Sequence, residues 1–306
     1  MKLKFWGVRG SIACPGPDTV HYGGNTTCLE IKFEDLDRRI IIDAGSGIRL
    51  LGQEIVLKDW RETPFKSDIF ITHTHWDHIM GFPFFDPIYQ EGTELNIYGP
   101  VTYEEDTLEQ VVGDQLRYRY FPVLHSDLAA KLNYYQIGET RIDLGDGIVV
   151  TSKFLNHTLL CLGYRFEYAG KSVCTAFDTE PFRNLFASDE DPSGFDPDLF
   201  AEGERVAMEE NQKLIDFFRA SDVLIHDTQY TEAEYVSHKQ GWGHDYFEHA
   251  IQNAVKAGVR KLFLFHHDPY RTDNELRRLE AEFRKSLKEK PGPELFMARE
   301  GIEIEI

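Results

Sequence analysis

The sequence contains few of the features that mark secreted or membrane proteins. Its 306 residues include four cysteines, scattered without CxxC spacing, at Cys14, Cys28, Cys161 and Cys174. This usage indicates neither a disulfide framework nor a cysteine-based zinc site. No apolar run approaches the ~20 residues of a membrane span, and the opening MKLKFWGVRGSI predicts a strand rather than a signal peptide. We therefore expect a cytoplasmic protein that does not enter a membrane.

Positive charge is also scarce, because 33 Lys and Arg residues face 52 Asp and Glu residues and leave a net charge of -19 at pH 7. Nucleic-acid binding depends on Lys and Arg neutralising phosphates. The balance therefore makes nucleic acid an improbable partner and favours a small substrate. Acidic residues are densest from Asp189 to Glu210, which we interpret as a solvated surface insertion, with cation capture as the alternative.

Short apolar runs, in contrast, are abundant. Ten of them, from KLKFWGV at the start to KLFLFHH near the end, are bounded by Gly, Pro, Asp or Asn and predict strands. Helical spacing occurs in five segments, Asp77 to Tyr89, Tyr103 to Leu116, Ala207 to Ala220, Tyr246 to Ala257 and Asp273 to Lys288.

Strands and helices alternate along the chain without a Gly/Ser-rich linker or an internal repeat. This organisation predicts one α/β domain over residues 1–306, with stacked sheets flanked by helices. Two insertions are expected on that framework, near 101–140 and 183–210. The first contains an aromatic-rich stretch from Arg117 to Tyr135, and loops of this kind set selectivity when they lie over a site.

The strongest motif is ITHTHWDHIMG, which places His73, His75, Asp77 and His78 directly after the apolar run IFIT. Alternate side chains of a strand point to the same side, so His73 and His75 can hold one ion. The turn into the next helix can direct Asp77 and His78 at a second ion. A polar turn that contains histidines by chance is a poor alternative at this density.

Further residues of the ligand type also end apolar runs. His157 ends VVTSKFLNH, Asp178 ends SVCTAFD, Asp43 follows RIII, and His266 with His267 ends KLFLFHH. Functional groups commonly follow the carboxyl ends of strands in sheets that hold a site. Each residue alone would more often be a core residue with satisfied hydrogen bonds. Their joint order favours a metal centre.

That order, strand-Asp, HxHxDH, His, Asp, His, resembles the metallo-β-lactamase superfamily over nearly the whole chain. The resemblance implies an α/β fold in the form of an αββα four-layer sandwich. It also implies two metal ions, bridged by Asp178, with Asp43 supporting the histidines. The ligands would be His73, His75 and His157 for one ion and Asp77, His78 and His266 for the other, with His266 preferred over its neighbour His267.

Two later segments, LIHDTQY at 224–230 and GWGHDYFEHA at 241–250, are similar to elements of the ribonuclease Z and cyclic-nucleotide phosphodiesterase branch. His244 then matches an extra catalytic histidine of that branch, supported by Asp227. Asp227 stands where Glu is usual, and Asp245 where Ser is usual. The segment GVRGSI and the following loop also resemble the phosphodiesterase-like members, which places Ser11 near the metals.

The resemblance implies a dinuclear, metal-dependent hydrolase in which a metal-bridging hydroxide attacks phosphorus, with Asp77 and His244 as catalytic residues. A small phosphodiester such as a cyclic nucleotide is the expected substrate. Zinc suits the imidazole and carboxylate ligands, and manganese or iron suits them too. The alternatives are ribonuclease Z-like tRNA 3′ processing, thioester or lactone hydrolysis, and a non-hydrolytic metal- or cofactor-binding module. A homodimer is compatible with the sequence.

Overall fold

The computed structural model describes residues 1–59, 64–101, 106–186, 196–287 and 291–306. Two seven-stranded sheets of mixed direction form the centre of the molecule. The first sheet has the strand order β14-β1-β2-β3-β4-β5-β6. Its strands are β1 (Lys2–Gly7), β2 (Cys28–Phe33), β3 (Arg38–Ile42), β4 (Lys66–Phe70), β5 (Glu94–Pro100), β6 (Lys131–Ile137) and β14 (Glu303–Glu305).

The second sheet has the order β13-β12-β11-β10-β9-β8-β7. In it, β10, β11, β12 and β13 run parallel, whereas β7, β8 and β9 pair antiparallel. Its strands are β7 (Arg141–Asp143), β8 (Val149–Leu155), β9 (Cys161–Tyr168), β10 (Lys171–Ala176), β11 (Val223–Asp227), β12 (Lys261–Phe265) and β13 (Glu294–Met297).

Helices cover the outer face of each sheet. The α-helices are α1 (Ile48–Glu54), α2 (Trp76–Ile79), α3 (Leu108–Gly113), α4 (Pro197–Phe218), α5 (Glu232–Glu234), α6 (Phe247–Ala257) and α7 (Asp273–Leu287). Helices α1 and α3 contact the first sheet, and α6 and α7 contact the second. The α/β sandwich predicted from the sequence is therefore confirmed. No helix in the described ranges is long and apolar enough to cross a membrane.

Three apolar layers follow from the alternation of side chains along the strands. Ile42 and Phe70 point between the two sheets, where they join Phe166 and Phe263 in the central core. The residues next to Ile42 and Phe70 in sequence point outward and pack under α1 and α3 on one side. On the other side, a third core lies between the second sheet and helices α4, α6 and α7.

The four edge strands, β6, β7, β13 and β14, were not among the ten predicted. Strands β6 and β7 consist largely of half-exposed or exposed residues, and β13 and β14 have only four and three residues. Such edge strands lack the apolar runs on which the prediction depended. Because β6 contains residues 131–137, the end of the segment from Arg117 to Tyr135 belongs to the sheet framework.

Helix α4 begins at Pro197, ten residues earlier than predicted. The Asp196 carboxylate accepts hydrogen bonds from the backbone N–H groups of Asp198 and Leu199, and Pro197 occupies the first helical position, as is common. Part of the predicted acidic insertion is therefore the first half of a helix. Residues 187–195 of that insertion lie outside the described residues.

The predicted helix from Asp77 to Tyr89 is also divided. Helix α2 ends at Ile79 and is followed by two 3₁₀ turns, Phe82–Phe84 and Asp86–Tyr89, each with a proline near its start. Proline lacks an N–H group and favours such short turns over a continuous helix. Of the predicted helix from Tyr103 to Leu116, residues 103–105 lie outside the described residues, and α3 begins after the capping residue Thr107.

Candidate metal centre

The predicted ligands meet at one edge of the sandwich, because six strands end there. Asp43 follows β3, and the HxHxDH motif follows β4. In the second sheet His157, Asp178 and Asp227 lie at or just beyond the ends of β8, β10 and β11, and His266 directly follows β12. Carboxyl ends of neighbouring strands commonly form the site of an α/β sheet.

The first set of candidate ligands contains His73, His75, His157 and Asp178. The Nδ1 atom of His75 lies 3.0 Å from Nε2 of His73 and 3.1 Å from Nε2 of His157. Asp178 Oδ2 lies 3.5 Å from His73 Nε2 and 3.8 Å from His157 Nε2. Three imidazole nitrogens and one carboxylate oxygen thus converge on a single point.

The second set contains Asp77, His78, His266 and again Asp178. The Nε2 atoms of His78 and His266 are 3.2 Å apart. Asp77 Oδ2 lies 3.4 Å from the first of these nitrogens and 3.2 Å from the second. Asp178 Oδ1 lies 3.1 Å from His78 Nε2 and 3.2 Å from His266 Nε2. The two oxygens of Asp178 therefore face different sets.

The spacing of these donors suits divalent metal ions. Tetrahedral zinc binds nitrogen and oxygen at about 2.0–2.1 Å, which places neighbouring donors about 3.3 Å apart. The separations given above, from 3.0 to 3.8 Å, are close to that value. In addition, Asp178 Oδ1 is buried, and its close contacts with His78 and His266 lack hydrogen-bond geometry, although buried carboxylate oxygens are usually satisfied. The residues therefore fit two ions that share Asp178.

Three residues of the site have backbone conformations that side chains other than glycine rarely adopt. The φ angles of Asp43, Asp178 and His266 are 59°, 51° and 60°, and each residue lies directly beyond, or within two residues of, a strand end. Such conformations cost roughly 1–3 kcal/mol each and persist only where the surroundings enforce them. At each of these three positions, the left-handed conformation turns the chain sharply at the strand end, beside the candidate ligands.

The electrostatics of the first set favour neutral imidazoles, the form that binds metal. Burial lowers the pKa of His73 well below its usual value, and it lowers the pKa of His157 to about 4 despite the neighbouring Asp178. For Asp178 itself, burial favours the neutral acid, but the surrounding imidazoles, above all that of His266, hold its pKa well below the usual range. The shared carboxylate is therefore ionised.

His78 differs from the other histidines. Burial acts to lower its pKa, but the carboxylates of Asp178, Asp77 and Asp43 outweigh burial and raise the pKa well above the usual value. An ion that binds the second set must therefore displace a proton from His78, and metal binding at this set is expected to release that proton.

Further contacts orient the candidate ligands. Asp43 Oδ2 lies 2.7 Å from Nδ1 of His78 and also accepts a hydrogen bond from the Thr72 hydroxyl, and a contact of this kind fixes the orientation of an imidazole ring. His157 Nδ1 donates to the carbonyl oxygen of Gly243 at 2.8 Å. The backbone N–H of Ser11 donates to Asp77 Oδ2 at 2.7 Å.

His244 lies beside both sets without joining either. Its Nδ1 lies 2.9 Å from Asp227 Oδ2, and its ring stacks on that of His266 with centroids 5.1 Å apart. Burial disfavours the imidazolium, but the Asp227 carboxylate outweighs it and raises the pKa of His244 to about 9. His244 and Asp227 could also form a third cation site with Asp178 and His266, yet both of those residues already face the second set.

The structure separates the two neighbouring histidines at the end of β12. His266 points into the second set, whereas His267 lies outside both sets and its Nε2 donates to the carbonyl oxygen of Ala298 at 2.8 Å. Burial lowers the pKa of His267 to about 3. His267 is therefore a neutral core residue.

Sequence reasoning missed two residues that hold the site together. Gln229 contacts Nδ1 of His266 at 3.0 Å. Glu180 is buried, and its Oε2 accepts hydrogen bonds from the Tyr235 hydroxyl at 3.0 Å and from the backbone of Gly241 at 2.9 Å, which anchors the turn that leads to His244. The only signal for Glu180 was its position two residues after Asp178.

The fold and this histidine-aspartate cluster define a metal-dependent hydrolase of the metallo-β-lactamase fold. A family model described as the β-lactamase superfamily domain matches residues 38–193, about half of the chain. The matched stretch contains the whole first set and the shared Asp178. The chain belongs to this superfamily, whose members bind divalent metals.

Individual relatives agree with this family. A ribonuclease Z of Lactococcus lactis subsp. cremoris (strain MG1363) is 29% identical over 271 residues, which cover 79% of this chain and 83% of the relative. Unliganded yeast PDE1 superposes with a TM-score of 0.66 at 15% identity, covering 100% of this chain and 99% of that one. The metallo-β-lactamase fold protein YhfI from Bacillus subtilis gives 0.63 at 16% identity, covering 99% and 98%. At these identities the structural likeness concerns the fold.

Proposed function

We propose that the chain hydrolyses phosphodiester bonds with two divalent metal ions, and that its substrate is a small phosphodiester such as a cyclic nucleotide. The observation that carries this proposal is the division of the Asp178 carboxylate, whose Oδ2 faces the first set and whose Oδ1 faces the second. Paired metal sites of this kind serve in-line displacement at phosphorus.

His73, His75 and His157 would hold one ion, Asp77, His78 and His266 the other, and Asp178 both. Zinc is the proposed metal, because neutral imidazoles and carboxylates at near-tetrahedral spacing suit it, and manganese or iron suits the same donors. When bound, the ions would activate water and neutralise negative charge on the phosphoryl oxygens.

His244 would act on the substrate. Asp227 engages Nδ1 at 2.9 Å, so the other ring nitrogen, Nε2, is available for a ligand. A charged imidazole can donate a hydrogen bond to a phosphoryl oxygen or a proton to the departing oxygen. Asp227 both orients the ring and favours its protonated form. We therefore assign His244 the role of proton donor to the leaving group.

Charge favours a small substrate over RNA. The net charge of -19 opposes the approach of a polyanion, whose binding depends on many phosphate contacts. The second candidate function is tRNA 3′ processing, which the ribonuclease Z relative favours through its 29% identity over most of both chains. Both reactions break a phosphodiester bond, so substrate size distinguishes them.

The test begins with metal-free protein reconstituted separately with zinc, manganese and iron. Each form is assayed on bis-p-nitrophenyl phosphate, on a cyclic nucleotide and on a precursor tRNA with a 3′ trailer. We expect about two ions per chain and hydrolysis of the small diesters. Asp77→Ala should lose activity, whereas His238→Ala, at an exposed histidine outside both sets, should retain it. Cleavage of the tRNA alone would favour the second candidate, and inactivity on all three would refute both.

A further inference from the structure

A cleft of about 850 Å³ lies directly beside the metal-binding motif. Thr74 and Trp76, which flank His75 in sequence, line one side of it, and residues of the aromatic-rich segment line another. All of its lining residues come from the first half of the chain, between positions 25 and 121. None of them is assigned to metal binding or to proton transfer.

Four of the residues that line the cleft are aromatic, and all four are at least partly exposed. Trp76, Phe84 and Tyr120 are 72%, 51% and 70% exposed, and Phe121 packs edge-on against Phe84 with ring centroids 5.3 Å apart. Exposed apolar side chains are ordinary when scattered, but their concentration in one cleft marks a binding surface. Flat rings stack well on such walls.

Two arginines add positive charge to this apolar cleft. Arg49 and Arg119 both line it, and no carboxylate of the described chain forms an ion pair with either of them. Asp114, the carboxylate in the lining, pairs with Arg117 instead. In a chain of net charge -19, two guanidinium groups that have no carboxylate partner among the described residues suit an anionic ligand.

The position of His244 indicates which part of a substrate the cleft would contact. His244 lies between α5 and α6, on the side of the second sheet, and its ring lies against His157 and His266. The cleft opens instead on the loop after β4 of the first sheet. A leaving group that receives its proton from His244 would therefore depart on the side of the second sheet.

We propose, building on the phosphodiesterase function above, that the cleft binds a nucleobase or similar aromatic ring of the substrate. In a diester of two separate groups this ring belongs to the group that does not leave, and in a cyclic nucleotide it belongs to the ribose that carries both ester oxygens. Arg49 and Arg119 bind a second negative charge on the group that carries this ring. The preferred substrates are thus nucleotide diesters that carry an additional phosphate, rather than simple alkyl or uncharged aryl diesters.

The test uses three substrates with the same leaving group, p-nitrophenolate. These are methyl p-nitrophenyl phosphate, thymidine 5′-(p-nitrophenyl phosphate) and the same thymidine ester with a 3′-phosphate. We expect kcat/KM to rise from the first to the second by roughly 5- to 150-fold, the effect of stacking one base, and to rise again with the 3′-phosphate. Equal values for the methyl and thymidine esters would overturn the proposal.

Variants assign the preference to the cleft. Tyr120→Ala and Phe121→Ala should bring the thymidine-to-methyl ratio towards one, and Arg119→Gln should remove the gain from the 3′-phosphate. Tyr118→Ala is the matched control, because Tyr118 belongs to the same segment, is 69% exposed and does not line the cleft. An undiminished ratio in Tyr120→Ala and Phe121→Ala would place the ring elsewhere.

A binding measurement distinguishes an error in the proposed role of the cleft from an error in the proposed phosphodiesterase function. Calorimetry with thymidine 3′,5′-bisphosphate needs no turnover, and we expect binding to the parent protein that Tyr120→Ala weakens and Tyr118→Ala preserves. If all three esters resist hydrolysis while this pattern holds, the proposed reaction is wrong and the cleft is right. Hydrolysis of the esters without this binding pattern would mean that the proposed reaction is right and the proposed cleft is wrong.

Discussion

Replacing His244 tests whether this residue donates a proton to the leaving group. His244 belongs to neither set of candidate ligands, and its Nδ1 is held by Asp227. The variant His244→Ala should therefore keep both ions. For a cyclic nucleotide, whose ribose alkoxide needs a proton to depart, we expect kcat/KM to fall about 10²- to 10⁴-fold, the usual contribution of general acid catalysis. For bis-p-nitrophenyl phosphate the loss should be small, because p-nitrophenolate departs without a proton.

A different magnitude follows if His244 only binds the phosphoryl group. One hydrogen bond from a charged donor contributes about 1.5–3 kcal/mol, which corresponds to roughly a 10- to 150-fold loss. That loss would be similar for both substrates, because the contact does not depend on the leaving group. The ratio of the two losses therefore distinguishes the two roles even where the individual values overlap.

The assay compares kcat/KM for both substrates at matched metal content. His244→Asn is the companion variant, because its amide N–H can still reach Asp227 while the group corresponding to Nε2 is lost, so that the buried carboxylate keeps a partner. Equal losses on the two substrates would refute the acid role. Full activity of both variants on both substrates would remove His244 from the reaction.

Three further substitutions test how the site is held together. Asp178→Ala should lower metal content below two ions per chain and reduce the rise of melting temperature on metal addition, since an ion at 100 times its Kd stabilises by about 2.7 kcal/mol; unchanged values would mean that Asp178 is not shared. Gly243→Ala places a Cβ 2.3 Å from Nδ1 of His157 at a φ of 82°, so metal affinity should fall and urea unfolding should show a loss of stability above ~1 kcal/mol. If both metal affinity and stability stayed unchanged, Gly243 would not position His157. Glu180→Ala should lower kcat about 10-fold at constant metal content by freeing Gly241, with partial recovery in Glu180→Gln; equal kcat in all three proteins would leave Glu180 purely structural.

The candidate ligands were predictable because each follows an apolar strand, and parallel strands that end together bring distant residues to one edge. His73 and His266, 193 positions apart in the sequence, both lie in the cluster for this reason. Residues that support the ligands lack such a signal. Glu180 and Gln229 act through contacts with turns that are distant in sequence, so only the folded chain reveals them.

The fold was predictable where its elements are strongly apolar and less so at its margins. The strand β6 is half-exposed along most of its length, and pairing with β5 rather than an apolar pattern determines its position. Helix α4 was shortened in the prediction because its acidic first half resembles a solvated loop. Its start signals, Asp196 as the cap and Pro197 at the first position, were present in the sequence.

Deleting the aromatic-rich segment from Arg117 to Tyr135 would not test the cleft, because the segment extends into β6. Removing Arg117 to Tyr135 would delete five residues of β6, Lys131 to Tyr135, from the edge of the first sheet, so loss of folding would be expected whatever the segment binds. Point substitutions at Tyr120 or Phe121 leave that strand intact and report on the cleft alone.

Anomalous diffraction from crystals of the zinc-loaded protein shows whether the chain binds two ions that share Asp178. Data collected at the zinc absorption edge locate each ion without reference to activity. We expect two peaks, one bound by His73, His75 and His157 and the other by Asp77, His78 and His266, with a different oxygen of Asp178 bound to each. A single peak, or two peaks of which only one contacts Asp178, would contradict this expectation.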